Sequence, residues 1–294
     1  MGKLSAIAWT KSTFNPWIGC TKVGPGCDFC YAAAGNMRWA DGVNWGPGAP
    51  RRRTTEKYWR APYRWNEEAP GTEFAGRRGF WPVFCASQAD VFDNEVDPQW
   101  RADLFKVIRE TPNLTWQLVT KRIGNARKML PADWGNGYDN VWMISTIVNQ
   151  DEADRDLGKL LEVPAPIHGI SYEPALSPVD WRPWLTRTDR PDWIIVGGES
   201  LQTDEKTGKK FARDFPLEWA HSTIEDCVQT GGETAVFIKQ LGARPLLQPS
   251  ADAVPKLVRL KLTDAQAGAE PDEWPHTVRI RQFPKTPAML GGLL

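Results

Sequence analysis

The chain has 294 residues, with 36 Lys and Arg against 36 Asp and Glu, so its formal net charge is zero. This balance argues against a generally basic nucleic-acid-binding protein but leaves room for a local basic patch. No apolar run approaches the roughly 18 residues of a membrane span, and the first residues lack the apolar core of a signal peptide. We therefore expect a cytoplasmic protein with no membrane partner.

Short apolar segments rich in β-branched and aromatic residues recur along the chain, as is typical of strands buried on both faces. These segments lie at 13–20, 81–87, 115–122, 140–148, 166–174, 192–200 and 234–240. Helical segments lie between them at 97–111, 151–162 and 216–232. The first of these helices opens with Asp97, a favoured N-cap residue, and Pro98 at the first helical position.

The alternation of strands and helices predicts an α/β fold. The number of segments indicates a partial or complete TIM-like barrel of about six to seven βα units, and a doubly wound open sheet is the alternative. We assign residues 1–243 to this barrel, with 36–81 as an insertion rich in arginine and tryptophan. Residues 244–294 are predicted to be a small C-terminal β extension, because 258–262 and 277–283 alternate like paired strands.

Polar residues gather where the predicted strands end, and in parallel α/β folds those carboxyl ends carry the chemistry. They are Ser87, Asp90, Lys121, Arg122, Ser145, Glu173, Gly197, Gly198 and Glu199. The charged groups can pair with a ligand, and the glycines let the backbone approach one. For Lys121 and Glu199, a salt bridge within the protein is the alternative explanation. We expect a ligand site at this edge of the sheet.

Three of the five cysteines fall within one loop, GCTKVGPGCDFCYA (19–32). Cys20, Cys27 and Cys30 have the spacing C-x6-C-x2-C. In the cytoplasm, clustered cysteines bind metals or take part in redox chemistry more often than they form disulfides. The glycines and proline of this loop let its backbone wrap closely around a bulky group. We predict that all three cysteines are metal ligands.

The kind of metal group depends on the missing fourth cysteine. A structural zinc ion takes four ligands. The fourth would have to come from a distant residue, namely Cys85, Cys227, His168, His221 or His276. A 4Fe–4S cluster held by three thiolates instead leaves one iron with an open position, where a substrate or cofactor can bind. Three local thiols favour the cluster, and zinc remains the alternative.

A series of short motifs accompanies the cysteine loop through most of the chain. They are W-T-x-x-T-x-N-P-x-x-G-C at 9–20, C-x-x-C-Y-A at 27–32, VFCASQADVFD at 83–93, QLVTKR at 117–122, VWMISTIVNQD at 141–151, YEP at 172–174, WIIVGGES at 193–200 and VFIKQLG at 236–242. Together they resemble a phage-borne branch of the radical S-adenosylmethionine (SAM) superfamily. The usual spacing there is C-x3-C-x2-C, so the longer first gap is a departure. The resemblance covers residues 9 to about 242, apart from the insertion at 36–81.

The resemblance implies a cofactor pair and a type of reaction. Cys20, Cys27 and Cys30 would ligate a 4Fe–4S cluster, and SAM would bind at the open iron. An electron donor of the flavodoxin or ferredoxin type would reduce the cluster, and a 5′-deoxyadenosyl radical would follow. In such enzymes the cofactors supply the reactivity, and the protein supplies orientation and excludes water.

The same resemblance suggests roles for residues near the strand ends. Phe29 and Tyr31 would pack near the adenine or the cluster. Lys121 or Arg122 would pair with the SAM carboxylate. Ser87 and Asp90 would hold the amino group or the ribose. The remaining predicted cofactor-binding residues are Ser145, Glu173, Gly197, Gly198 and Glu199.

The insertion at 36–81 carries nine basic and five acidic residues, which gives a local net charge of +4. Aromatic residues are interleaved with the arginines. Arginines that bind phosphates and aromatic rings that stack on bases are typical of surfaces that hold single-stranded or flipped-out nucleic acid. The predicted DNA-binding residues are Arg51, Arg52, Arg53, Trp59 and Arg60. A tryptophan-rich lid packed over the barrel is the alternative.

The resemblance to a phage-borne branch implies that the enzyme acts on phage DNA in the cytoplasm of a bacterial host. We expect the enzyme to modify or isomerise a hypermodified thymine base, for example glycinyl-thymidine. Two alternatives stay open on the sequence alone. One is a zinc-stabilised nucleic-acid-binding module without catalysis, and the other is a DNA repair protein whose cluster is only structural.

Overall fold

A computed structural model describes residues 3–203, 208–247 and 257–285. Contacts divide the chain into two compact units. Unit one comprises Met1–Val23, Tyr31–Ser145 and Glu162–His168. Unit two comprises Gly24–Cys30, Thr146–Leu161 and Gly169–Leu294.

Seven strands form the main sheet, and each overlaps one of the segments predicted to be a strand. They are β1 (Ser12–Phe14), β2 (Pro82–Cys85), β3 (Thr115–Thr120), β4 (Val141–Thr146), β5 (Ile167–Tyr172), β6 (Trp193–Gly197) and β7 (Ala235–Gln240). The strands follow one another across the sheet in chain order. A doubly wound sheet reverses its strand order part of the way across, so that alternative is wrong. The predicted α/β fold is confirmed, with a strand order that is consistent with a partial TIM-like barrel.

In unit one, β1, β2, β3 and β4 pair in parallel. The register aligns Phe14 with Cys85, Cys85 with Leu118, and Leu118 with Met143. These four side chains are fully buried. Continuous apolar runs therefore became strands covered on both faces, as expected of a parallel sheet.

The helices of unit one are α1 (Tyr31–Ala40), α2 (Glu56–Trp59), α3 (Ala61–Glu68), α4 (Pro98–Arg109) and α5 (Ile123–Met129). The predicted start of α4 is confirmed, because Asp97 Oδ1 accepts a hydrogen bond from the backbone N–H of Gln99 at 2.8 Å. The buried face of α4 carries Leu104, Phe105 and Ile108.

The region predicted as an insertion begins inside α1 and contains α2, α3 and a two-stranded hairpin of Glu73–Phe74 with Arg77–Arg78. Two of its tryptophans belong to the core of unit one. Trp59 and Trp65 are 5% and 4% exposed, and the ring of Trp65 stacks on Trp81 with centroids 6.4 Å apart. Trp39, by contrast, is 86% exposed. Burial therefore explains part of the aromatic content of the insertion, as the lid alternative expected.

In unit two, β5 pairs with β6 and β6 pairs with β7, both in parallel. The helices are α6 (Gln150–Leu161), α7 (Arg182–Leu185) and α8 (Leu217–Gln229). The indole Nε1 of Trp181, which precedes α7, donates to Thr223 Oγ1 on α8 at 3.0 Å. The predicted helices at 151–162 and 216–232 are thus confirmed with small shifts at their ends. None of the helices within the described ranges is long and apolar enough to cross a membrane.

The C-terminal extension contributes to a small sheet, but only one of its two predicted strands belongs to that sheet. Val258–Arg259 is a short strand, and it pairs antiparallel with Pro245–Leu247. The strand predicted at 277–283 is wrong, because His276–Val278 is a 3-10 turn. The following residues bind the free edge of β7, where Ile238 N–H donates to Ile280 O at 2.7 Å. The alternating pattern therefore reflects pairing with β7. Residues 248–256 and 286–294 of the extension lie outside the described residues.

The N-cap of α4 gives a direct stability test. Asp97→Ala should lower the free energy of unfolding by about 1 kcal/mol, because the first turn loses its side-chain acceptor. Chemical denaturation monitored by circular dichroism measures the change. Asp97→Asn, which keeps an acceptor oxygen, is the matched control and should lose much less. Equal losses in the two variants would contradict the capping role.

Candidate functional site

The approach to Cys20 is fixed by Gly19, which follows the short strand Trp17–Ile18. Gly19 has a φ of +118°, and a Cβ there would lie 2.4 Å from the carbonyl oxygen of Asn44. Only glycine meets both demands. Its N–H donates to Gln88 O at 3.1 Å, which anchors the chain beside the end of β2.

The Cys20 side chain is half-buried and lies against Arg122. Arg122 Nη1 is 3.2 Å from Cys20 Sγ, and Arg122 Nη2 donates to Thr21 O at 2.7 Å. The Arg122 side chain is only 8% exposed. The arginine predicted to bind the SAM carboxylate therefore contacts the cysteine loop itself.

Two buried aspartates, Asp90 and Asp93, flank Arg122. The nearest oxygens lie 3.4 Å from Nη1 and 3.8 Å from Nη2, respectively. Asp90 also accepts hydrogen bonds from Thr120 Oγ1 at 2.7 Å and from the Lys121 N–H at 3.0 Å. Asp90 is thus occupied by protein donors at the end of β3.

Asp93 extends the ionic network to the insertion. Its Oδ2 lies 2.8 Å from Arg51 Nε, and Arg51 Nη2 donates to Thr21 Oγ1 at 2.7 Å. Two arginines, Arg51 and Arg122, therefore reach the residue that follows Cys20. We call this set, Asp90, Asp93, Arg51 and Arg122, the unit-one ionic network.

The environment changes the acidity of the Cys20 thiol. Burial raises the pKa of Cys20 to about 11, the charge of Asp90 adds to this effect, and Arg122 opposes it. At neutral pH the metal-free side chain is therefore a neutral thiol. A metal ligand must be the thiolate, so binding at Cys20 must release a proton.

Cys27 and Cys30 belong to unit two. Cys27 is buried at the end of the 3-10 turn Pro25–Cys27, and Cys30 is half-buried. The turn begins at Gly24, where a Cβ would lie 2.8 Å from Glu152 Oε1 on α6. The contact is with the end of a flexible side chain, so it does not by itself require glycine at this position.

A second arginine, Arg213, binds this part of the cysteine loop. Arg213 Nη1 donates to Pro25 O at 3.0 Å and to Asp28 Oδ2 at 3.3 Å. Its guanidinium lies 5.2 Å from the centre of the Phe29 ring, a cation–π distance. Glu199 holds Arg213 through Nη2 at 2.5 Å and through the backbone N–H at 2.9 Å. Glu199 therefore serves an internal ion pair.

The glycine pair before Glu199 is explained by packing within unit two. A Cβ on Gly197 would lie 2.7 Å from Glu173 Oε1, and one on Gly198 would lie 2.5 Å from Leu241 O. Glu173 is itself 2.9 Å from Lys239 Nζ. Protein atoms thus fill the space that we expected a ligand to approach.

Three other predicted cofactor residues lie in unit one. The Tyr31 hydroxyl donates to Ser87 O at 2.8 Å, and Ser87 Oγ accepts from Asn15 Nδ2 at 3.1 Å. Ser145, at the end of β4, is 1% exposed. Within the described ranges its hydroxyl has no hydrogen-bond partner. A buried hydroxyl of this kind favours a further polar group or water beside it.

The predicted DNA-binding residues separate into buried and exposed groups. Arg51 has a side chain that is 1% exposed, and Trp59 is 5% exposed, so the prediction of direct DNA contact is wrong for both. Arginine and tryptophan are residue types common on DNA-binding surfaces. In this structure, however, Arg51 neutralises Asp93 and Trp59 packs in the core. Arg53 binds Asp103 at 2.9 Å and covers the Trp59 ring. Arg52 and Arg60 are exposed.

Cys20, Cys27 and Cys30 offer the ligand type that a thiolate-bound metal group takes. All five cysteines are free, so Cys20, Cys27 and Cys30 remain available as ligands. The Nη1–H group of Arg122 lies beside Cys20. Donors of this kind form hydrogen bonds to the ligand sulfurs of iron–sulfur clusters. Among residues 3–203, 208–247 and 257–285, no three His, Cys, Asp or Glu side chains form a group that could hold a metal ion. Cluster ligation stays a prediction.

Sequence reasoning missed two residues that organise the site. Asp93 ends the motif VFCASQADVFD, and its place in that motif is the signal that could identify it. Arg213 lies in an irregular segment before α8, where no periodic pattern marks it. Only its contacts with Glu199 and Pro25 identify it.

The raised pKa of Cys20 predicts slow alkylation of the metal-free protein by iodoacetamide. We expect the rate at pH 8 to be at least ~10-fold below that of a free thiol of pKa about 8.5, and to rise ~tenfold per pH unit. Peptide mass spectrometry measures the rate. A synthetic peptide of residues 19–24, which contains one cysteine, is the control. A rate that levels off near pH 9 would contradict the raised pKa.

Comparison with known proteins places the chain in a family. The sequence profile of a family described as "Protein of unknown function (DUF5131)" matches residues 4–273, which is most of the chain. Searches of curated proteins and of solved structures each found no significant match. The chain therefore belongs to the DUF5131 family.

Proposed function

We propose that this chain is a radical SAM enzyme that binds a 4Fe–4S cluster through Cys20, Cys27 and Cys30. The observation that carries the proposal is the set of three unpaired cysteines in a glycine- and proline-rich loop after the first strand of an α/β sheet. When bound, the cluster supplies the electron that cleaves SAM into methionine and a 5′-deoxyadenosyl radical. We further propose that the successive strand–helix pairs correspond to about six βα units of a partial barrel.

The residues around the loop would orient this chemistry. Arg122 and Arg213 each hold one part of the cysteine loop by hydrogen bonds to its backbone. Because Arg122 is committed to that contact, Lys121 is the better partner for the SAM carboxylate. Its side chain is half-buried at the end of β3, next to Asp90. The unpartnered hydroxyl of Ser145 supports a polar ligand group at the end of the neighbouring strand.

The proposed substrate is a modified thymine base in phage DNA, such as glycinyl-thymidine, which the enzyme would modify or isomerise. Support comes from an exposed basic surface that we define as Arg52, Lys57, Arg60 and Arg64. Lys57 lies in α2, Arg64 lies in α3, and Arg60 lies between the two helices, so the last three fall within eight residues of the chain. Ion pairs hold Arg51 and Arg53, but within the described ranges none holds these four side chains. Unpaired surface cations suit DNA phosphates.

Anaerobic purification and reconstitution test the cofactor. We expect brown protein with about four iron atoms per chain, broad absorbance near ~400 nm, and 5′-deoxyadenosine after addition of dithionite and SAM. Cys20→Ala, Cys27→Ala and Cys30→Ala should each lose the cluster and the product. Cys227→Ala is the matched control, because that cysteine is buried in α8, away from the C-x6-C-x2-C motif, and should retain both.

Other outcomes would favour the alternatives. Colourless protein with one tightly bound zinc ion would indicate a zinc-stabilised module and would contradict the radical SAM proposal. An intact cluster that yields no 5′-deoxyadenosine would indicate a structural cluster, as in a repair protein.

Neutralising the basic surface tests DNA binding. Changing Arg52, Lys57, Arg60 and Arg64 together to Gln should weaken DNA binding and reduce the slope of log K against log salt by about 0.7–0.9 for each lost phosphate contact. Fluorescence anisotropy over a salt series measures both.

A control with the same net charge separates local from global electrostatics. It changes the exposed Lys106, Arg109, Arg127 and Lys128, on α4 and α5, to Gln. This variant should bind DNA like the wild type. Equal weakening in both quadruple variants would show that the basic surface has no special role. Unchanged nucleosides in phage DNA after deletion of the gene would contradict base modification itself.

A further inference from the structure

The backbone of Arg122 is fixed by its place in the fold. The residue lies two positions after the last residue of β3 and directly before α5, and its N–H donates to Thr120 Oγ1 at 2.8 Å. The same hydroxyl group donates to Asp90 Oδ1 at 2.7 Å. One threonine therefore links the backbone of the arginine to the carboxylate that its side chain contacts.

Moving the Arg122 side chain out of this position would cost considerable free energy. It is 8% exposed, and the partner carboxylates of Asp90 and Asp93 are 6% and 3% exposed. Besides Asp93, Arg51 pairs with Glu95, whose side chain is 34% exposed, at 3.0 Å, so three carboxylates share the two arginines. Removing the guanidinium to bind a ligand would leave Asp90 as an uncompensated buried charge, which is strongly unfavourable.

The remaining donors of Arg122 point at the cysteine loop. One terminal nitrogen reaches Cys20 Sγ at 3.2 Å and the other reaches Thr21 O at 2.7 Å. The planar guanidinium presents its donors in a rigid fork, so it fixes a side chain and a carbonyl group at once. Lysine has a single ammonium group and cannot reproduce this pair of contacts.

We propose that Arg122 is a positioning residue that fixes Cys20 as a cluster ligand and donates a hydrogen bond to its sulfur. This inference rests on the proposed function and replaces the contact with the SAM carboxylate predicted for Arg122. Hydrogen bonds to ligand sulfurs are one of the factors that set cluster reduction potentials. Such hydrogen bonds would stabilise the reduced cluster, which would carry the extra negative charge, so Arg122 would raise the potential of a cluster bound at Cys20.

Three variants test this role. Arg122→Met removes both donors and the charge, whereas Arg122→Lys keeps the charge. Arg127→Met, on the same helix, breaks an exposed pair with Glu162 and is the matched control. In a redox titration followed by EPR, we expect a shift to lower potential in Arg122→Met, a smaller shift in Arg122→Lys, and none in Arg127→Met.

Hydrogen exchange of the metal-free proteins gives a readout that needs no cluster. In Arg122→Met, the peptide that covers residues 20–23 should exchange ~tenfold faster than in the wild type, because two hydrogen bonds to the loop are lost. Arg127→Met should leave this peptide unchanged. Arg122→Lys, with its intact charge, carries the test if Arg122→Met fails to fold.

The outcomes separate this inference from the proposed function. A wild-type protein that binds no iron would contradict the proposed function, and with it any role of Arg122 toward a cluster. A wild-type cluster with the same potential and loop exchange in both Arg122 variants would overturn the Arg122 proposal alone.

Discussion

The contact between Arg122 and Cys20 organises the cysteine site of unit one. Arg122 can approach the sulfur only because Asp90 and Asp93 neutralise its charge in a buried setting. Those aspartates lie in the loop after β2, and the arginine lies at the end of β3. The parallel sheet therefore places the ionic network, and the network places the first cysteine of the loop.

Unit two uses the same kind of interaction with different residues. Arg213 is neutralised by Glu199, which follows β6, and binds the carbonyl oxygen of Pro25. Its guanidinium also covers the ring of Phe29, the residue before Cys30. Each unit thus fixes its own cysteines with an arginine that is paired to a carboxylate at a strand end. Glu199 and Asp90 were both expected to bind a ligand. Each instead neutralises the arginine that contacts the cysteine loop in its own unit.

The fold could be predicted from the sequence where the local residue pattern and the burial agree. The contacts within the site could not be predicted in this way. Continuous apolar runs and the Asp97 cap predicted strands and α4 correctly, because those signals lie within a few residues. The segment 277–283 alternates as a strand does, but alternation does not specify a partner, and its partner is the edge of β7. Arginine and tryptophan suit a DNA-binding surface. The burial of Arg51 and Trp59, however, depends on residues that are distant in the sequence. The sequence pattern did not identify Arg213, because the role of this residue depends on its ion pair with Glu199.

Three thiolates on a 4Fe–4S cluster would leave one iron with an open coordination position at which SAM would bind. EPR spectroscopy of the anaerobically reduced, cluster-loaded protein, recorded with and without SAM, tests this most directly. A directly bound amino acid moiety changes the electronic environment of the open iron, so the account predicts a clear shift of the cluster signal on addition of SAM. An identical spectrum with and without SAM would contradict the claim and leave the cluster, if present, with a structural role.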